Sequence, residues 1–185
     1  MIYLENSCSD KSSEFLDIEY TQKQHLDNLT RYKRLTKKLV KMIPNEDINL
    51  ELYYKRLKDY YWQVEMFLEA GTGQVMPIIR EIVFDSYNML TTIEDKPLDT
   101  IMDELFNTYD SKNWDYQNSS ENQLMWDGAY SFKVTLGHKV SRIKSFYERF
   151  NFEVKDEKIQ DTIADLTNYC LIYLMWLNKG TPKLR

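Results

Sequence analysis

The sequence predicts an all-α protein, a helical bundle of about six helices. Three observations carry that expectation. Gly and Pro are scarce, five and four in 185 residues, so the turn signals of a sandwich of short strands are missing. Apolar residues recur every three or four positions over long segments, which is the helical period. With 43% hydrophobic, 29% charged and 14% aromatic residues, many of them Tyr, the composition is that of a soluble globular chain able to build a sizeable core.

Residues 1–20 read as loosely structured around a polar SCSDKSS stretch. Over residues 21–42, Leu26, Leu29, Tyr32, Leu39 and Val40 keep the helical spacing, extended by Ile43, and Pro44 with Asn45 ends the helix. Its basic run of Arg31, Lys33, Arg34, Lys37, Lys38 and Lys41 reads as a solvated face. A second helix over residues 47–69 has Leu50, Tyr53, Leu57, Tyr60, Tyr61, Val64, Phe67 and Leu68 as its apolar side. Its tyrosines read as core rather than as a base-stacking platform. Gly71 and Gly73 follow. They lack the strand and the remaining glycines of a phosphate-loop fingerprint, so they read as a helix end and a turn.

The third helix opens near Pro77 and runs to about residue 92, apolar through Ile78, Ile79, Ile82, Val83, Tyr87 and Leu90. The fourth, over residues 98–111, buries Leu98, Ile101, Leu105 and Tyr109 and turns Asp99, Asp103 and Glu104 the other way. A polar loop over residues 112–120 comes next, and Ser119 or Ser120 caps the following helix. That helix is interrupted near Gly128 and resumes to about residue 150 with Val134, Leu136, Val140, Ile143, Phe146 and Tyr147 inward. Lys139 and Arg142, three apart, project together. A short strand is conceivable at residues 152–154. The first 93 residues read as a helical extension, an added layer or a dimer-forming arm, and residues 94–185 as a core, the two forming one compact unit.

Several function classes are disfavoured by composition. A net charge of -5 without a basic block argues against duplex nucleic acid, where phosphate neutralisation supplies most of the affinity. Two cysteines, Cys8 and Cys170, make neither a disulfide framework nor a zinc knuckle and point to a reducing cytoplasm. No signal peptide is legible, and the longest apolar run is far short of the roughly 20 residues that span a bilayer. Neither His25 nor His138 has a companion that completes a nucleophilic triad.

The richest stretch is residues 156–177. On a helix, Glu157, Asp161, Asp165 and Asn168 share one face, and Ile159, Ile163, Leu166, Cys170, Tyr173 and Leu177 the opposite one. The acidic face continues into Leu171, Ile172 and Met175, so its carboxylates lead towards a buried interface, where they need cations or hydrogen bonds. That face reads either as solvated or as one wall of a metal site. Set beside Glu104 on another helix and Lys139 and Arg142 on a third, it suggests oxygen ligands for Mg²⁺ or Mn²⁺ with phosphate held by the cations.

The order of motifs over residues 98–177 resembles the nucleotide modification associated domain of phage and bacterial proteins, a relative of the all-α MazG-like nucleoside triphosphate pyrophosphohydrolases. The resemblance lies in DELFNTYDSKNWDY (residues 103–116), LGHKVSRIKSF (residues 136–146) and VKDEKIQDTIADLTNYCL (residues 154–171). It implies a Mg²⁺-dependent hydrolase of (deoxy)nucleoside triphosphates that assembles as a homo-oligomer. Glu104, Glu157, Asp161 and Asp165 would hold the metal, with Glu104, Asp161 and Asp165 catalytic. Lys139 and Arg142 would neutralise phosphate, Lys112, Asn113, Asp115 and Tyr116 would contact sugar or base, and Asn168 would orient a ligand. Two positions depart from the pattern: Gln117 replaces a glycine and His138 an aspartate. A nucleotide-binding protein without turnover and a helical interaction module are the alternative expectations.

Overall fold

A computed structural model describes residues 20–71, 75–149 and 158–179. Among these residues the chain is all-helical, with seven helices and no strand: α1 (Gln22–Val40), α2 (Leu50–Glu69), α3 (Val75–Glu94), α4 (Leu98–Asp115), α5 (Ser119–Asp127), α6 (Ala129–Arg149) and α7 (Ile159–Asn178). The number exceeds the expected six because the interruption at Gly128 separates α5 from α6. Gly128 ends α5 at φ 61° and ψ -146°, a conformation open to glycine alone at no steric cost. The possible strand at residues 152–154, Glu157, Cys8 and the polar stretch near the N-terminus lie outside the described residues.

Packing follows from the apolar faces. Helices α2, α3, α7 and α6 form a ring in which each packs on the next. Helices α1 and α4 lie against each other and against α3 and α7, and α5 bridges α6 and α7. Helix α7 is thus the axis of the molecule, packed on α1, α3, α4, α5 and α6. This is why every residue of α7 from Cys170 to Trp176 is buried, as a helix apolar nearly all round must be. Its Tyr173 stacks flat on Phe132 of α6, ring centroids 3.9 Å apart, and on Trp176 at 5.5 Å. Cys170 is a free, buried thiol, and burial pushes its pKa well up, so it acts as a small core residue. Opposite, α6 and α2 approach closely at Gly137, where a Cβ would stand 3.0 Å from the Tyr61 hydroxyl.

The boundary drawn near residue 93 does not coincide with a break in packing. Helix α3 makes the most extensive contact with α7, and α1 supplies Tyr32, fully buried and stacked on Tyr109 of α4 at 4.2 Å. The N-terminal helices belong to the same core as the C-terminal ones. None of the described helices is long and apolar enough to cross a membrane.

The connection between α1 and α2 is tied down by polar groups. Asn88 Nδ2 donates to the Pro44 carbonyl at 3.0 Å. Arg56 forks onto Glu46, at 2.6 and 2.8 Å, and reaches Asp85 at 3.2 Å. Asp85 sits on the nearly all-buried α3, only 4% exposed. Burial pushes its carboxyl above the ordinary aspartate value, against the pull of the Arg56 charge. Removing one member of a buried pair strands the other. Arg56→Ala is therefore expected to cost about 2 kcal/mol, below the full value for a buried pair because the arginine is partly solvated. Urea denaturation checks it, and a loss under about 0.5 kcal/mol, the ordinary scale of a surface substitution, would contradict it.

Candidate functional site

Helix α4 runs one turn further than its core stripe requires. Residues 112–115, expected in a loop, form its last turn, and the connection to α5 shrinks to Tyr116, Gln117 and Asn118. Gln117 and Asn118 both take positive φ, 48° and 60°. The position at which the resemblance expects glycine therefore does need the left-handed region, and glutamine occupies it at some strain. Asn118, rather than Ser119 or Ser120, is the residue that precedes α5, and its side chain makes no capping bond.

This tight turn, with α4, α5 and α7, encloses a cavity of about 370 Å³. Tyr109, Lys112, Asn113 and Tyr116 line it from α4 and the turn, Ser119 and Ser120 from the first turn of α5, and Asp165, Asn168, Tyr169 and Ile172 from α7. The volume falls in the range of small-ligand sites.

In its lining, Asp165 receives two ammonium groups. Lys112 Nζ lies 2.7 Å from Oδ1 and Lys139 Nζ, from α6, 2.8 Å from Oδ2. Burial raises the Asp165 pKa, but the hydrogen bonds from the two lysines outweigh it and hold the carboxyl below its ordinary value. Burial likewise works against the charge of Lys112, and the bond to Asp165 overrides it, leaving that pKa raised. Lys139 also stands 5.8 Å from the Tyr169 ring centroid. The cluster is two cations on one anion, with one positive charge in excess; Lys112 and Asp165 line the partly aromatic cavity, and Lys139 reaches Asp165 from α6.

The amides are held from behind. Asn168 Oδ1 accepts from the Tyr32 hydroxyl at 2.5 Å, and its Nδ2 donates to the Leu105 carbonyl at 3.4 Å. Asn113 Nδ2 donates to the Tyr20 hydroxyl at 2.6 Å. Tyr20 also accepts from Asn28, and Asn28 from α1 donates to Asn118 in the turn at 3.2 Å. His25, one turn earlier on α1, meets Asp110 at 2.7 Å through Nε2 and packs edge-on against Trp114. Helix α1 thus clamps the end of α4 and the turn after it, and so shapes the cavity wall.

Of the residues named from sequence, Lys112, Asn113, Tyr116, Lys139, Asp165 and Asn168 come together. The others do not. Glu104 lies two turns before Lys112 on α4, outside the lining, held at 2.7 Å by Lys96, which also pairs with Glu94. Asp161 is exposed at the start of α7, where its carboxylate reaches back to the Lys158 N–H at 3.4 Å. Asp115 is exposed and borders a separate hollow with Tyr20, Trp114 and Gln117. Arg142, one turn past Lys139, is half-buried and outside the lining of the cavity. His138 is exposed on α6. Tyr109, Tyr169, Ser119 and Ser120 enter the lining without having been named as site residues. Tyr169 stands four residues after Asp165, so helical spacing alone would have found it.

Of the four carboxylates expected to hold a metal, Glu157 lies outside the described residues. Among the described residues no three His, Cys, Asp or Glu side chains gather in a way that would hold a metal. Both Asp165 oxygens are occupied by ammonium groups, and Glu104 is engaged elsewhere. Comparison with family models, with curated proteins and with solved structures gives no match.

Proposed function

We propose that the cavity between α4, α5 and α7 binds a nucleoside phosphate. The observation that carries this reading is the pair of lysines, Lys112 from the lining and Lys139 from α6, converging on the carboxylate of Asp165, which itself lines an aromatic-walled cavity. A phosphate entering the site meets two ammonium donors already oriented, and charge-assisted bonds of this kind are the strong ones. The first turn of α5, offered through Ser119 and Ser120, adds a region that favours negative charge. Tyr109, Tyr116 and Tyr169 supply flat apolar surface for a base, and Asn113 and Asn168 supply amides held in place by Tyr20 and Tyr32.

Asp165 acts in this reading as the placeholder for the phosphate. It keeps both lysines charged and pointed inward in the empty site, and the ligand competes with it. Asp165→Asn is then expected to tighten nucleotide binding several-fold, because removal of the competing charge frees both cations. It is also expected to cost about 1 kcal/mol of stability at neutral pH, as a partly solvated ion pair does. The sign with pH follows from the lowered pKa of Asp165. Its stabilisation is present above the unfolded value near pH 4 and is lost as pH falls through the lower folded value. Parent and variant should therefore converge in stability in strong acid.

A second reading, metal-assisted pyrophosphohydrolysis of a (deoxy)nucleoside triphosphate, draws on the spacing of Asp161 and Asp165, one turn apart on α7, and on the motif resemblance. It requires Asp165 to exchange its lysines for Mg²⁺, with further ligands from Asp161 and from Glu157. The same variant separates the two readings. Thermal-shift titration with a nucleotide panel, with and without Mg²⁺, should show Asp165→Asn gaining stabilisation under the binding reading. Loss of all Mg²⁺-dependent stabilisation, together with loss of pyrophosphate release, would favour hydrolysis instead.

A further inference from the structure

Arg31, Arg34 and Lys38 fall on one face of α1 at spacings of three and four. The sequence alone makes them part of a solvated basic run, but the fold divides that run. Lys33 turns aside and lies 4.0 Å over the Phe106 ring. Arg31, Arg34 and Lys38 instead line a cavity of about 440 Å³ against the last turn of α7, which adds Met175, Asn178 and Lys179. The lining holds four cations and no carboxylate, in a chain of net charge -5.

Two of the four are fixed in place. Arg31 donates to the Met175 carbonyl at 3.3 Å and to Asn28 at 3.2 Å. Lys179 binds the buried Glu121 of α5, to which Arg31 also comes within 3.8 Å. Arg34 and Lys38 make no ion pair among the described residues. The one acid met by these bases, Glu121, thus pairs with two of the four, and the other two have no counter-charge among the described residues. The C-terminal end of α7 tolerates this gathering because its exposed carbonyls favour cations.

We propose that this cavity is a second, separate anion site, built for a compact ligand with adjacent phosphate groups. It goes beyond the nucleotide reading given above and does not rest on it. The fixed Arg31 guanidinium and the free Arg34 present forked donors suited to phosphate oxygens, and Lys38 and Lys179 add point charges on either side. Four cations gathered around one cavity favour a condensed phosphate group over an extended strand, which an acidic protein without a continuous basic track holds poorly. Inorganic tripolyphosphate and the phosphate tail of a nucleoside triphosphate share this chemistry.

The test is calorimetric titration of tripolyphosphate at low ionic strength into the intact chain, the double variant Lys112→Ala/Lys139→Ala, which removes the other phosphate site, and that variant with Arg34→Ala/Lys38→Ala added, the α1 variant. Both α1 side chains are exposed, so an unchanged melting temperature is expected and confirms folding. The α1 variant should weaken binding at least about tenfold, the loss of a charge-assisted bond. The Lys112/Lys139 variant should retain it. A parallel titration with adenosine triphosphate separates the two sources of the phosphate group. Absence of binding to the Lys112/Lys139 variant, equal binding when Arg34→Ala/Lys38→Ala is added to it, or tighter binding of a single-stranded oligonucleotide through the same residues would overturn the proposal.

Discussion

Replacing Tyr173 by alanine is expected to destabilise the protein by about 3–5 kcal/mol, the range for deleting a large aromatic side chain from a close-packed core. Tyr173 is 1% exposed at the middle of α7. Its ring lies between Phe132 and Trp176, nearly parallel to both, and burial raises its pKa to about 12. Three effects add: loss of transferred apolar area, a cavity that the helices around α7 cannot close, and loss of two stacking contacts. Because α7 packs on five other helices, the cavity has no mobile wall to collapse onto it. Urea denaturation monitored by circular dichroism measures the change. Tyr173→Phe is the control, and it should cost much less because ring stacking and volume survive. A cost for Tyr173→Ala below about 1 kcal/mol, well under the range for such a deletion, would mean that α7 is not the axis of the core.

The position of Tyr173 also shows what the sequence made legible. The period of apolar residues identified every helix, and the all-round apolar character of residues 170–176 marked α7 as central before any contact was known. Element ends were less accessible. Residues 112–115 read as a loop because Lys, Asn and Asp are common in turns, yet they continue α4, since Asn113 finds partners on α1 and Lys112 finds Asp165. Those partners lie 93 and 53 residues away in sequence, beyond any local signal. The break at Gly128 was legible because the cause is local.

The candidate site was legible in half of its members for the same reason. Lys112, Asn113, Tyr116, Lys139, Asp165 and Asn168 stand on faces that helical spacing orients correctly. Glu104 was placed with them because it shares the outward side of its helix with other acids. A face opposite the core stripe is wide, however, and Glu104 falls on the part that meets Lys96. Charge counting by face cannot decide which neighbour a carboxylate meets. The help from α1, through Asn28, Tyr32 and His25, was illegible because isolated polar residues on an amphipathic helix carry no periodic signal. Residues 22–40 thus belong to the site's support rather than to an appended arm.

The other large effect concerns the two lysines. In the phosphate reading Lys112 and Lys139 each donate a charge-assisted bond to the ligand, worth about 1.5–3 kcal/mol when formed with a charged group. Some of this is offset in the intact site, because the ligand displaces Asp165 from both. Removing both lysines has a further consequence. It leaves Asp165, only partly solvated, as a bare carboxylate facing an incoming anion, so attraction is replaced by repulsion. The combined loss is expected to be at least about 3 kcal/mol, more than a hundredfold in affinity. Lys139→Ala alone should lose less than half of that free energy, since Lys112 still neutralises Asp165.

Calorimetric titration of a panel of nucleoside monophosphates, which lack the adjacent phosphate groups suited to the α1 cavity, into the intact chain and into Lys112→Ala/Lys139→Ala tests the central claim most directly. Circular dichroism would establish that both proteins are folded. Saturable binding of at least one nucleotide by the intact chain, weakened more than about a hundredfold in the double variant, is the predicted result. No binding by the intact chain across the panel, or equal affinity in the folded double variant, would contradict it.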